Sequence, residues 1–129
     1  MTSKSEAKIH VEISNALGPN VELKVHCKSK DNNLGYHLLH YQDVFGFHFG
    51  RNYFGSTLFF CSFQWDFGGY QFHYFDIYKE TRDECTYCFW NVRPSGPCLF
   101  NFKHHTEKCF AWNPNAAMAP HEFDMAIGD

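Results

Sequence analysis

Leu58-Phe59-Phe60-Cys61-Ser62-Phe63-Gln64-Trp65, then Asp66-Phe67-Gly68-Gly69, then Tyr70-Gln71-Phe72-His73-Tyr74-Phe75-Asp76-Ile77-Tyr78, is the stretch that decides the fold. In the first run Phe59, Cys61, Phe63 and Trp65 occupy alternate positions, which places them on one face of a strand. Asp66 to Gly69 has the composition of a hairpin turn. In the run beyond it His73, Phe75 and Ile77 share one side. Aromatic side chains suit a half-buried pleated surface, so the pair predicts two neighbouring strands.

The same period extends in both directions. Upstream, Ile9, Val11 and Ile13 alternate with Lys8, His10 and Glu12, and Gly18-Pro19-Asn20 makes a turn. Val21, Leu23, Val25 and Cys27 then alternate with Glu22, Lys24 and His26, so the first two strands are expected to pair as a hairpin. Short strands follow over Tyr36 to His40 and Phe45 to Phe49. Downstream, strands are expected at Cys85 to Val92, Cys98 to Phe102 and Cys109 to Trp112, with Arg93-Pro94-Ser95-Gly96 turning between the first two. No segment carries a helical period. About eight short strands with frequent turn signals predict an all-β, antiparallel β-sandwich without substantial helix, residues 7–112. Residues 1–6 read as a leader and 113–129 as a loosely held tail.

At 129 residues the chain is the length of one domain, and 15 Phe, 7 Tyr and 3 Trp supply its core. Net charge is −3 without a basic cluster, which argues against nucleic acid, whose phosphates need a positive footprint. The longest apolar run, Leu58 to Cys61, is far too short for membrane insertion. Met1 to Glu6 lacks the apolar stretch of a signal peptide, so a secreted form would be a mature chain.

Six cysteines, Cys27, Cys61, Cys85, Cys88, Cys98 and Cys109, suit three disulfides in an extracellular domain, with the pairing left open. Zinc would need two Cys-x2-Cys knuckles, and only Cys85-x2-Cys88 is present. Because Tyr87, Phe89, Trp90 and Val92 predict strand, a Cys85–Cys88 bridge is awkward, and each is expected to pair with a distant partner. His10, His26 and His48 fall opposite the apolar residues and are expected to be solvated. No metal or other cofactor is expected. Asp31, Asp83 and Glu84 sit in charged loops, not as a paired acid and base, so catalysis is not expected.

Four ordered blocks carry a resemblance. They are His26-Cys27-Lys28-Ser29 followed by Asp31-Asn32-Asn33-Leu34-Gly35-Tyr36-His37; Phe59 to Trp65; Phe75-Asp76-Ile77-Tyr78; and Cys85-Thr86-Tyr87-Cys88-Phe89-Trp90-Asn91-Val92 with Gly96 beyond. With the opening strand ending in Asn15-Ala16-Leu17, they closely resemble the plant self-incompatibility S1 proteins, or S-protein homologues, over about residues 7–112. The resemblance implies a secreted plant protein with its signal peptide removed, a disulfide-tied β-sandwich, no enzymatic activity, and a role as an extracellular signalling ligand. The family pattern has four cysteines where this chain has six.

Sandwich loops carry recognition because they vary without disturbing the core. The candidate contacts for a membrane receptor or other extracellular protein are therefore Lys28, Lys30, Asp31, Asn32 and Asn33 in one charged loop. In a second they are Lys79, Glu80, Arg82, Asp83 and Glu84. A monomer is expected. The alternative is an extracellular carbohydrate-binding module on the strand face of Tyr70, Phe72, Tyr74 and Tyr78, unless that face packs inward.

Overall fold

A computed structural model of the chain describes residues 8–50 and 57–112. The leader expected over residues 1–6 and the tail over 113–129 lie outside the described residues. Nine strands occur in chain order among the described residues: β1 (Lys8–Asn15), β2 (Leu23–Lys28), β3 (Asn33–Leu39), β4 (Val44–Gly50), β5 (Leu58–Asp66), β6 (Tyr70–Lys79), β7 (Tyr87–Arg93), β8 (Gly96–Asn101) and β9 (Thr106–Cys109). They form a five-stranded sheet, β4-β1-β7-β8-β9, and a four-stranded sheet, β3-β2-β5-β6. There is no helix among the described residues. Every pairing is antiparallel except β1 with β7, which is parallel.

The alternation read from the sequence builds the core. Ile9, Val11 and Ile13 point inward beside Trp90 and Val92 of β7, and face Leu23, Val25, Phe63 and Ile77 of the other sheet; all are buried. At about 25 cal/mol per Å² of apolar surface, burial of these side chains is the main favourable term in folding. Phe47, Phe49, Phe59 and Tyr78 close one flank, with ring centroids 4.7–5.0 Å apart across three of the contacts. Trp112 closes the opposite end. It stacks on His73 at 4.8 Å and donates from Nε1 to the Pro94 carbonyl at 3.0 Å.

The expected hairpin of β1 with β2 does not form; the two strands belong to different sheets. Asn15 explains the crossing. It is wholly buried, and its Nδ2 donates to the carbonyls of Val21 (2.7 Å) and Leu39 (2.9 Å), while its Oδ1 accepts the Leu17 N–H at 2.9 Å. One amide thus stitches the end of the first sheet to the second, and a buried amide satisfied three ways is costly to replace. The last strand lies at Thr106–Cys109, earlier than the expected Cys109 to Trp112, because Cys109 must face Cys98.

Three disulfides use all six cysteines. Cys27–Cys61 links β2 to β5 inside the core, and Cys98–Cys109 links β8 to β9. The third corrects the expectation of distant partners, since Cys85 pairs with Cys88. That expectation assumed a strand running from Cys85. β7 begins at Tyr87, so Cys85 lies in the preceding loop, and its Cα sits 5.4 Å from that of Cys88. Gly96, in the last resemblance block, adopts φ 148°, and a Cβ there would collide with the Phe110 carbonyl oxygen.

Candidate functional site

Strand register brings both charged loops to the same end of the sandwich. β2 runs out at Lys28, which lies opposite Asn33 on β3 and Phe60 on β5, and Leu58 at the start of β5 lies opposite Lys79 on β6. The width of β5 therefore separates the loop after Lys28 from the loop after Lys79. The turn between β8 and β9 opens at this end too.

The first loop is a tight turn with its charges outside. Ser29 N–H donates to the Asn32 carbonyl at 2.8 Å, and Asn32 N–H to Ser29 Oγ at 3.2 Å. Lys30, Asp31, Asn32 and Asn33 are exposed. Two of the expected contact residues are not free surface groups. Asn33 Oδ1 accepts the Gly35 N–H at 2.9 Å and lies 2.7 Å from His26 Nε2. Lys28 is buried, 3% exposed, where a solvated position was expected. His26, expected in solvent, is 1% exposed as well, because Tyr36 covers it at 4.2 Å between ring centroids. A large neighbour on the outer face can bury a side chain that strand alternation turns away from the core.

The second loop corrects the sequence reading more strongly. Asp83 is 7% exposed. Its Oδ2 accepts the Lys79 N–H at 2.8 Å and Arg82 Nη2 at 2.7 Å, and its Oδ1 accepts Arg82 Nε at 2.7 Å. Arg82 also donates to the Asp76 carbonyl at 2.8 Å, and its guanidinium lies over the rings of Phe75 (5.1 Å), Phe110 (5.2 Å) and Trp90 (5.6 Å). A planar, weakly hydrated guanidinium is the cation suited to such a place. Glu80 is half-buried and its carboxylate accepts the Thr57 N–H at 3.3 Å. Lys79 and Glu84 remain exposed. Each loop therefore divides into residues that brace it, Asn33, Glu80, Arg82 and Asp83, the buried Lys28, and residues that face out, Lys30, Asp31, Asn32, Lys79 and Glu84.

The candidate sugar face is altered by one irregularity. A β-bulge shifts the register so that Phe59 lies opposite Tyr78 and Phe60 opposite Asp76, which turns both Ile77 and Tyr78 into the core. Tyr78 is therefore no platform residue, whereas Tyr70 is 63% and Phe72 40% exposed, and Tyr74 is half-buried.

Elsewhere the titratable groups serve structure. Glu107 accepts a fork from Arg93 (3.1 and 2.8 Å), which holds its carboxyl below and the guanidinium above their usual values. Tyr87 donates to Glu12 at 2.8 Å, and that bond raises its phenol pKa. His73 is lowered by burial. The grouping of Cys98, Glu107 and Cys109 has metal-ligand elements, but its sulfurs form a disulfide.

Comparison with known proteins agrees with the architecture. Residues 10–112 match the family model of plant self-incompatibility protein S1. The chain is 44% identical over 115 residues to S-protein homolog 2 of Arabidopsis thaliana, covering 83% of this chain and 70% of that protein. To S-protein homolog 20 of the same plant it is 46% identical over 109 residues, covering 81% and 76%. A solved structure of SPH (Self-Incompatibility Protein Homologue) proteins, described as a widespread family of small, highly stable, secreted proteins from plants, superposes with a TM-score of 0.61. It does so at 20% identity, over 82% of this chain and 95% of that one, and so supports the fold. With its matched blocks, its two sheets and its disulfides, the chain belongs to the plant self-incompatibility S1 family.

Proposed function

We propose that the protein is secreted and acts as an extracellular signalling ligand, recognised by a membrane receptor or another extracellular protein through the loop end of the sandwich. Its working surface is Lys30, Asp31, Asn32, Lys79 and Glu84. The observation that carries this reading is the division of each loop into braced and outward residues. Arg82–Asp83 and the Ser29–Asn32 turn hold the backbone still, so charged side chains are presented with little ordering cost on binding. Secretion is supported by three disulfides, which persist in oxidising compartments, and by the description of the structural relative as secreted. The reading is non-enzymatic, as the cysteines are all bonded and the Asp83 and Glu107 carboxylates are held by Arg82 and Arg93.

The test is saturable binding of fluorescent protein to intact plant protoplasts, competed by unlabelled protein. Lys30→Glu with Lys79→Glu is expected to lower that binding by about tenfold or more, with an unchanged thermal midpoint. Undiminished binding by the double variant would overturn the loop surface.

A further inference from the structure

The outer face of the four-stranded sheet has an ordered composition. Register sets its side chains in rows: Leu38, Lys24, Gln64, Phe72, and then Tyr36, His26, Ser62, Tyr74. The edge strands β3 and β6 carry the large apolar groups, with Tyr36 54%, Leu38 55%, Tyr70 63% and Phe72 40% exposed. The central strands β2 and β5 carry polar groups between them. Tyr70, Phe72 and Tyr74 form a continuous aromatic rim, with centroids 6.3 and 5.0 Å apart. At the end away from the charged loops the face deepens into a depression of about 800 Å³, lined by Glu22, Lys24, Gln64, Asp66, Tyr41 and Tyr70 among others. Tyr70 donates to Gln64 Oε1 at 2.8 Å, which orients that amide, and His40 Nδ1 lies 3.0 Å from Glu22.

We infer that this face is a binding groove for a neutral oligosaccharide. A pyranose has an apolar C–H face and a girdle of hydroxyls, so it needs a ring to stack on and paired donors and acceptors beside it. Aromatic rims on a floor holding an ammonium, an amide and carboxylates supply both. A peptide helix docking by an apolar stripe would strip water from the Lys24 ammonium and offer it no acceptor in return, only the Tyr36 ring already 5.5 Å away, which is unfavourable. Charge narrows the class. Glu22 and Asp66 outweigh Lys24, which disfavours a polyanionic glycan.

The groove shares no residue with the loop surface, so the two readings stand or fall separately. The experiment is calorimetric titration of the disulfide-bonded chain with cellohexaose, chitohexaose and a galacturonate hexamer. A neutral hexamer is expected to bind. Phe72→Ala with Tyr74→Ala should lower its association constant by at least about tenfold, the loss of a single ring contact worth one decade or so. Tyr36→Ala, on the opposite rim, tests the same groove if the double variant folds poorly. Phe102→Ala, 50% exposed and outside this sheet, is expected to leave binding unchanged. Binding of neither neutral hexamer, binding of the galacturonate alone, or binding indifferent to both rims would overturn the groove. So would an aromatic peptide captured through Phe72 when the glycans are not.

Discussion

The loops after Lys28 and Lys79 have the same texture as sequence, a short charged run between strands, yet they are built in opposite ways. Loop 29–32 is held by one backbone bond and the Ser29 hydroxyl, and its charged side chains are left to solvent. Loop 80–86 has backbone turn bonds as well, from Arg82 and Asp83 N–H to the Lys79 carbonyl, but adds a side-chain ion pair folded beneath it, with Asp83 satisfied three ways and Arg82 spread over three rings. Charge in a loop therefore does not by itself indicate a surface for recognition. The test is whether the carboxylate has backbone N–H groups to cap, and whether the cation has rings to lie on.

The largest effect that would sharpen this contrast concerns the base of the first loop. Cys27 lies two positions before it and is bonded to Cys61 across 34 positions. Closing a loop of that length stabilises by roughly 4 kcal/mol in the chain-entropy model. Replacing both cysteines by alanine should lower the free energy of unfolding in urea by about that much, with a further loss from the buried volume removed. A loss below about 1 kcal/mol would mean that the backbone turn alone secures the first loop.

Next comes the brace of the second loop. Asp83→Asn keeps the shape but halves the acceptors and leaves Arg82 without its counter-charge in a mostly buried place. Its side chain is 24% exposed and that of Asp83 3%. The expected cost is about 2–3 kcal/mol, below the full penalty of a buried pair because Arg82 retains some solvent. If the urea midpoint is unmoved, the two loops are alike after all. Removing Cys85–Cys88, which closes only 3 positions of the chain, should cost less, roughly 2 kcal/mol or under. It should also increase hydrogen exchange of Arg82 and Asp83 amides more than those of Asn32 and Asn33.

How much of this was legible in the sequence follows from the range of the forces involved. Alternation is local, so the inward faces of β1, β2 and β5 could be read directly from Ile9, Val11, Ile13, Leu23, Val25, Cys61 and Phe63. The division of β1 and β2 between sheets could not, since Gly18-Pro19-Asn20 suits a hairpin and only Asn15 bonding to Val21 and Leu39 overrides it. The bulge that buries Tyr78 next to Ile77 breaks the period that the sugar-face reading relied on. Both charged loops were found as candidates. That Arg82 would lie over Phe75, Trp90 and Phe110 depends on rings brought together from three separate strands or strand ends. Asn15-Ala16-Leu17 was the one available signal, because an asparagine ending an apolar strand marks a position where an amide must be satisfied.

The smallest expected effect discriminates best between the loops. Exchanging Lys30 and Asp31, as Lys30→Asp with Asp31→Lys, reverses the local pattern while conserving net charge. Neither side chain makes a hydrogen bond or ion pair among the described residues, and the turn is made by Ser29 and Asn32. Exposed substitutions of this kind change stability by about 0.5 kcal/mol or less, so the thermal midpoint should hold within a degree or two. Protoplast binding should nevertheless fall, because the pattern of charge offered to a partner is inverted. A midpoint that drops as far as it does for Asp83→Asn would show that the first loop, too, is braced by its charges, and the contrast between the two would be lost.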